Sequence, residues 1–105
     1  MEKPNLSYIH TMSRGDESFV QKILGVIKNE FSEEVETYQN NISSENFKLA
    51  AENVHKIKHK ISILGLEKSH GVANTHEINL KDGDNELHDE FQKIIDVIKD
   101  YIVTL

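Results

Sequence analysis

The chain has no cysteine, a single proline and no long hydrophobic run among its 105 residues. The lack of cysteine excludes disulfides, cysteine-ligated zinc and thiol catalysis. Pro4 stands at the start, so no proline interrupts a later helix. No apolar run approaches the roughly 18 residues of a transmembrane helix, and the first ten residues lack the apolar segment of a secretory signal. We therefore expect a cytoplasmic chain, with no membrane among its partners.

Basic residues are also few, with 12 Lys and Arg against 18 Asp and Glu, and the formal net charge is −6. Such a chain lacks the extended basic surface by which proteins bind nucleic acids, so no nucleic acid is expected as a partner. The length corresponds to one domain, since domains usually contain about 100–200 residues. We assign residues 1–105 to that single domain.

Strand patterns are missing as well, because no alternating or β-branched run is longer than a few residues. Apolar residues instead recur at three- and four-residue steps, which is typical of helices with one buried face. Asp16 is expected to cap the second helix and Asp84 the last, with Ser44 or Asn46 capping the third after a loop at residues 41–45. The predicted helices cover about residues 6–13, 17–40, 46–64 and 66–80, and then the segment from Asp84 to the C-terminus.

The predicted helices carry apolar stripes that would form one core. The stripe of the second helix consists of Val20, Leu24, Ile27, Phe31, Val35 and Tyr38, and that of the third of Phe47, Ala50, Val54, Ile57, Ile61 and Leu64. A further stripe of Phe19, Ile23 and Val26 on the second helix needs a cover or a partner. Four amphipathic helices joined by short connections favour an up-down-up-down four-helix bundle. We predict this all-α architecture with a short additional N-terminal helix.

The third predicted helix carries the densest group of basic and imidazole side chains. Residues 55–60 (HKIKHK) contain three lysines and two histidines, which is a formal charge of +3 in an acidic chain. His55 follows the stripe residue Val54 and so projects about 100° away from it, with Lys58 and His59 on the same exposed face. A neutral imidazole nitrogen can attack a phosphoryl group, and a neighbouring lysine can balance the charge on its oxygens.

Two other interpretations of this segment stay open. The first is a solvated lysine-rich face with incidental histidines. The second is a metal-binding bundle, because His55 and His59 have the i, i+4 spacing of helical zinc ligands. The adjacent lysines would repel a dication, and Lys56 stands where a metalloprotease motif needs glutamate. We expect no metal and no cofactor of the chain's own.

The sequence resembles the histidine-containing phosphotransfer (HPt) domains of multistep two-component phosphorelays over nearly its whole length. The family motif, His-x-x-Lys followed by Leu-Gly, is similar to His55 and Lys58 followed by residues 64–66 (LGL). The similarity also includes residues 5–8 (NLSY), 15–20 (GDESFV) and 46–47 (NF).

This resemblance implies that His55 accepts a phosphoryl group and that Lys58, expected to be exposed, balances its charge. The donor would be the aspartyl phosphate of a receiver domain, in a response regulator or a hybrid sensor kinase, and another receiver aspartate would take the group onward. Mg²⁺ is expected on the receiver domain. The chain has no glycine-rich phosphate loop and is not expected to be a kinase. The start at Met1 favours a free-standing carrier, which we expect to be monomeric.

The sequence departs from the family pattern beside the motif. His59 replaces the usual glycine and Lys60 a small residue, so the bulky His59 ring is expected to modulate docking or to act as an alternative acceptor. Docking is expected at the stripe containing Phe19, Ile23 and Val26. A rival hypothesis is a non-catalytic helical interaction module, dimeric through that stripe.

The remaining histidines carry no family role. In the fourth helix Glu77 is similar to the family, whereas His76 replaces a leucine. His70 and His76 are expected to be partly buried or to lie near His55, and the surface histidines are expected to be His10 and His88.

Overall fold

The computed structural model describes residues 2–105, and within that range it contains five α-helices and no strand. The helices are α1 (Ser7–Ser13), α2 (Glu17–Ser43), α3 (Phe47–Ile63), α4 (Glu67–Lys81) and α5 (His88–Ile102). The prediction of an all-α fold is confirmed. None of the helices formed by residues 2–105 has the length and hydropathy needed to cross a membrane.

The core follows the predicted stripes. The buried residues of α2 are Val20, Leu24, Ile27, Phe31, Val35 and Tyr38, which are all six members of its predicted stripe. The C-terminal half of this stripe joins a main core with residues of α3, α4 and α5. The N-terminal half joins Ile9 of α1 in a smaller cluster. The α1 helix therefore covers one part of α2 and leaves the stripe of Phe19 and Val26 exposed.

Helix α3 has its most extensive contacts with α4, followed by those with α2. Both helices bury small side chains in the main core, with Ala50 and Ala51 on α3 and Ala73 on α4. Side chains this small let two helix backbones approach closely, because the interaxial distance depends on the residues at the contact. This packing brings polar side chains of α4 within reach of His55.

The predicted start of α2 is confirmed, whereas its predicted end is wrong. Asp16 caps α2 as predicted, since its carboxylate accepts a hydrogen bond from the Phe19 amide. The predicted loop at residues 41–45 is too long, because α2 continues to Ser43. Asn41 lies in that last turn and its amide donates to the Asn53 side chain on α3, which holds the turn in place. Of the two predicted capping residues of α3, Ser44 and Asn46, it is Asn46 that directly precedes the helix. Its side chain makes no capping hydrogen bond.

The start of the last helix also differs from the prediction. Asp84 was expected to cap it, but α5 begins at His88. The Asp84 carboxylate instead accepts from the Glu86 amide, 2.8 Å away, in the turn before the helix. Aspartate forms such local turns as readily as it caps helices, and sequence spacing does not separate the two. The helix ends at Ile102, so Leu105 lies outside it.

The N-terminal segment is tied to the start of α4. Both carboxylate oxygens of Glu2 accept backbone hydrogen bonds, from Lys68 and Ser69, each at 2.8 Å. The residue at the N-cap of α4, Leu66, has no side chain that could accept these amide protons. Glu2 therefore acts as the cap of a helix that begins 65 positions later in the chain, and holds the α3–α4 connection against the N-terminus.

A polar cluster lies in the core at the other end of α4. The Tyr38 hydroxyl is 2.8 Å from His76 Nε2 and 2.7 Å from His88 Nδ1, so it joins α2, α4 and α5. His76 is fully buried, and its ring contacts Tyr38. The prediction that His88 is a surface residue is wrong, because its ring is half-buried against Tyr38. His70 is half-buried, and His10 is exposed as predicted.

Candidate functional site

His55 lies at the middle of α3 with its side chain 54% exposed. Its orientation follows from the helical period, because the neighbouring Val54 and Ile57 are both fully buried in the core. A helix buried along this stripe cannot rotate without exposing it. The imidazole is therefore presented to solvent from a rigid element, as the periodicity predicted.

Glu77 of α4 holds one nitrogen of this ring. Its carboxylate oxygens lie 3.2 Å (Oε2) and 3.4 Å (Oε1) from His55 Nδ1. The Glu77 side chain is only 9% exposed, so this contact is largely screened from water. A buried carboxylate beside an exposed histidine limits the rotation of the ring and fixes which nitrogen faces outward.

The charge of Glu77 is stabilised by two lysines. Lys58 Nζ is 2.9 Å from Oε1, and Lys81 Nζ is 3.4 Å from Oε2. Burial by itself would raise the pKa of Glu77, but the hydrogen bond and the charge of Lys58, with further contributions from His55 and Lys81, hold this pKa below its ordinary value. The carboxylate is therefore ionised at neutral pH.

An ionised carboxylate determines the tautomer of His55. Both Glu77 oxygens can only accept hydrogen bonds, so the ring must donate from Nδ1. In the neutral imidazole the second nitrogen, Nε2, then has no proton and offers its lone pair. The geometry therefore leaves Nε2 as the nucleophilic atom, on a side chain that is more than half exposed.

Lys58 differs from the sequence prediction in its exposure. It was expected to be exposed, but its side chain is 13% exposed. Besides Glu77, its ammonium group donates to the Asn74 side-chain oxygen at 3.2 Å. The reason is the α3–α4 packing, which places a carboxylate and an amide oxygen over this lysine. Lys58 thus belongs to the support of the site.

Of the other basic residues of the segment, Lys60 pairs with α2, whereas Lys56 and His59 are exposed to solvent. Lys60 is half-buried, with its ammonium group 3.0 Å from Glu34 and 3.7 Å from Glu30. Lys56 is exposed. The His59 ring is exposed and lies edge-on to the His55 ring, with their centroids 4.9 Å apart. The predicted basic patch is therefore smaller than the composition indicates, because part of its charge is paired.

Two surface cavities lie beside the basic segment at residues 55–60. A cleft of about 640 Å³ lies on the α4 side and is lined by His55, Lys56, Glu77 and Lys81, together with Ala51, Glu52 and Asn53. A mainly apolar groove of about 490 Å³ lies on the α2 side, where Phe19, Ile23 and Val26 meet His59 and Lys60. The stripe predicted as a docking surface thus borders the basic segment directly.

The structure brings together His55, Lys58 and His59, which the sequence had singled out, and adds Glu77 and Lys81. The sequence analysis assigned no role to these two. A usable signal was present, since Glu77 stands on the core side of the weakest amphipathic helix, where a charged residue needs a partner.

Comparison with known proteins adds no identification: no family model, no curated protein and no solved structure matches the chain. The part of the chain that the structure describes also contains no group of three or more His, Cys, Asp or Glu side chains placed to hold a metal ion. The candidate site is therefore interpreted from its own geometry.

The role of Glu77 can be tested with Glu77→Gln, and Glu36→Gln on the exposed face of α2 is the matched control. Glutamine keeps the shape but loses the charge, and its amide can donate as well as accept. We expect a mixture of His55 tautomers, visible in the ¹⁵N chemical shifts of its ring. A single unchanged tautomer would show that Glu77 does not orient the ring.

Proposed function

We propose that this protein is a phosphorelay carrier of the histidine phosphotransfer type, in which His55 accepts a phosphoryl group and passes it on. The observation that carries the proposal is the exposed imidazole whose Nδ1 is held by an ionised, lysine-anchored carboxylate, with its Nε2 left free to react. The resemblance of the sequence to that family supports the same residue.

In the proposed reaction the Nε2 lone pair attacks the phosphorus atom of a receiver aspartyl phosphate. The new P–N bond forms as the P–O bond to the aspartate breaks, and the electron pair of that bond leaves with the aspartate carboxylate. The ring becomes a phospho-imidazolium that keeps its Nδ1 proton, and Glu77 stabilises this positive ring through the hydrogen bond it already accepts. The reverse steps deliver the group to a second receiver aspartate.

We further propose that α2 to α5 form the up-down-up-down four-helix bundle of that family, with α1 as the additional helix. Two side-chain contacts join α2 and α3, Glu34 with Lys60 and Asn41 with Asn53. From the first contact to the second, the residue number increases in α2 and decreases in α3, as expected for antiparallel helices. The pairs between α3 and α4, His55–Glu77 and Lys58–Asn74, have the same relation. The connections between successive helices are short, as in such bundles.

The proposed partners are receiver domains of response regulators and of a hybrid sensor kinase, and the proposed carrier is a cytoplasmic monomer with no cofactor of its own. A receiver active site is acidic and carries Mg²⁺, so the basic segment around His55 complements its charge. Complementary charge brings a receiver domain to this surface but does not bury apolar area. The apolar groove beside His59 offers that area to the receiver domain. His59 and Lys60 line this groove, and the His55 ring lies edge-on to that of His59.

The proposed activity is tested by incubating the protein with receiver domains phosphorylated by radiolabelled acetyl phosphate. We expect transfer of the label to the protein in a form that is stable to base and labile to acid, as phosphohistidine is. The rival hypothesis of a non-catalytic interaction module predicts complex formation without any transfer of label.

The docking groove is tested with Val26→Asp, and the matched control is Ile78→Asp on α4. The two side chains are similarly exposed, at 47% and 54%, so neither change should unfold the protein. We expect Val26→Asp to slow transfer from a receiver domain at least tenfold and Ile78→Asp to leave it unchanged. Phosphorylation by the small donor phosphoramidate should be the same in both, because it needs no docking surface. Equal receiver rates in the two variants would place the docking surface elsewhere.

A further inference from the structure

Lys58 is poorly placed to contact a phosphoryl group, although the family resemblance assigns that role to it. Its ammonium group already has two oxygen partners, on Glu77 at 2.9 Å and on Asn74 at 3.2 Å. If it turned toward His55 Nε2, Glu77 Oε1 would lose its strongest partner while the carboxylate stays nearly buried. Glu77 would keep only the longer contacts to His55 and Lys81, and weaker pairing of a nearly buried charge is costly, so this movement would oppose phosphorylation.

Lys81 has the opposite properties. It is the last residue of α4, and its side chain is 61% exposed. Its only ion pair within residues 2–105 is the 3.4 Å contact to Glu77 Oε2, which is the oxygen that also accepts from His55 Nδ1. Because the Lys81 side chain is exposed to solvent and its contact to Glu77 is the longest of the three to that carboxylate's charge partners, it is the partner that is exchanged most easily. Lys81 and His55 also line the same cleft.

We propose that Lys81 of α4 is the residue that contacts the phosphoryl group on His55, and that Lys58 instead holds Glu77. This inference rests on the proposed carrier function and names the cation of that site. When the phosphoryl group is added, its oxygens bring about two negative charges to the ring. Lys81 then moves from Oε2 to a phosphoryl oxygen.

Glu77 loses Lys81 in this exchange, but each of its carboxylate oxygens keeps a partner. Oε2 keeps the Nδ1–H of His55, which becomes a stronger donor when the ring is positively charged. Oε1 keeps Lys58. The lysine that moves is the exposed one, whose long side chain crosses only the open cleft. Lys56 lines that cleft too, but it has no ion pair with Glu77 that would hold it beside the ring.

The experiment compares wild type, Lys81→Ala, Lys58→Ala and Lys56→Ala, with Lys93→Ala on α5 as the charge-matched control and Lys81→Arg as the conservative variant. Each protein is phosphorylated with phosphoramidate, and the ³¹P signal of phosphohistidine is followed as pH is changed. A cation in contact with the dianionic phosphoryl group lowers its pKa, so a merely structural lysine would not affect this titration. Thermal unfolding of each variant accompanies the measurement.

We expect Lys81→Ala to raise the pKa of the phosphoryl group and to slow its formation about tenfold, with recovery in Lys81→Arg and no change in Lys93→Ala. Lys58→Ala is expected to alter the His55 tautomer. A Lys81→Ala variant that titrates like Lys93→Ala would overturn the inference, as would a pKa shift found only in Lys58→Ala or Lys56→Ala. If the wild-type protein takes up no phosphoryl group on His55, the proposed function itself is wrong. This outcome needs only the wild-type measurement, so it is distinct from a failure of the Lys81 inference, which is measured in the variants.

Discussion

The variant His55→Gln is expected to take up no phosphoryl group, whether the donor is phosphoramidate or a phosphorylated receiver domain. Glutamine has no nucleophilic lone pair on nitrogen, because its amide nitrogen is conjugated with the carbonyl. Its amide can still donate to Glu77, so the buried carboxylate keeps a partner and the helix should remain folded. Complete loss of the label in a folded protein is thus the largest single effect that we expect.

The control for this experiment is His59→Gln, because the two rings lie edge-on with centroids 4.9 Å apart. His59 lines the apolar groove on the α2 side, and within residues 2–105 it has no carboxylate contact like that of His55. We expect His59→Gln to keep the label, with a changed rate only when the donor is a receiver domain. Label that persists in His55→Gln and disappears in His59→Gln would move the acceptor to His59.

The second large effect concerns stability at acid pH and arises from the buried cluster of Tyr38, His76 and His88. The Tyr38 hydroxyl has one proton, so it donates to one ring nitrogen and accepts from the other. If the histidine that accepts the hydroxyl proton were protonated, both facing nitrogens would carry protons and the hydroxyl proton would lack an acceptor. His76 Nδ1 already has no hydrogen-bond partner within residues 2–105. A charged His76 would therefore be buried with an unpaired N–H group.

These contacts determine the direction of the pH dependence. Burial, reinforced by the charge of His88 and partly opposed by Asp84, lowers the pKa of His76 to about 4 from its ordinary value of 6.5. Between these values the unfolded chain binds a proton that the folded protein does not, so the free energy of unfolding falls as the pH falls from 6.5 to 4. The shift corresponds to a loss of about 3 kcal/mol, which is a large part of the stability of a domain.

The test is urea unfolding of wild type and His76→Leu at pH 7 and at pH 4.5. Leucine is apolar and of similar size, and the Tyr38 hydroxyl keeps His88 as its partner. We expect wild type to lose much of its stability between these pH values and His76→Leu to lose little. Equal losses would assign the acid sensitivity to other groups. Glu77 acts below this window, since its lowered pKa means that its contribution is lost only as the pH falls below its ordinary value of 4.5.

The local features of the site follow from the sequence because helical periodicity is a short-range property. The stripe containing Val54 and Ile57 makes one face of α3 buried, and the exposure of His55 on another face follows from a 100° step per residue. The cap at Asp16 is equally local, since its carboxylate reaches an amide three residues later. These predictions needed no knowledge of the neighbouring helices.

The partners of these side chains depend on contacts between segments that are far apart in the chain. Lys58 meets Glu77 and Asn74 because α3 packs against α4, and a sequence pattern does not specify the register of that packing. The position of His88 is decided in the same way, since Tyr38 lies 50 residues before it. For this reason both lysine exposure and histidine burial were mispredicted.

What the sequence alone determined is the all-helical class, the buried face of each long helix and the presentation of His55 to solvent. Each follows from steric and hydrophobic preferences that act within one helix. Only the tertiary structure decided that Glu77 fixes the His55 tautomer, that Lys58 is nearly buried against Glu77 while Lys81 is exposed, and that Tyr38 joins His76 to His88. The physical reason is that hydrogen bonds and ion pairs depend on distances of about 3 Å, which are set by how the helices pack.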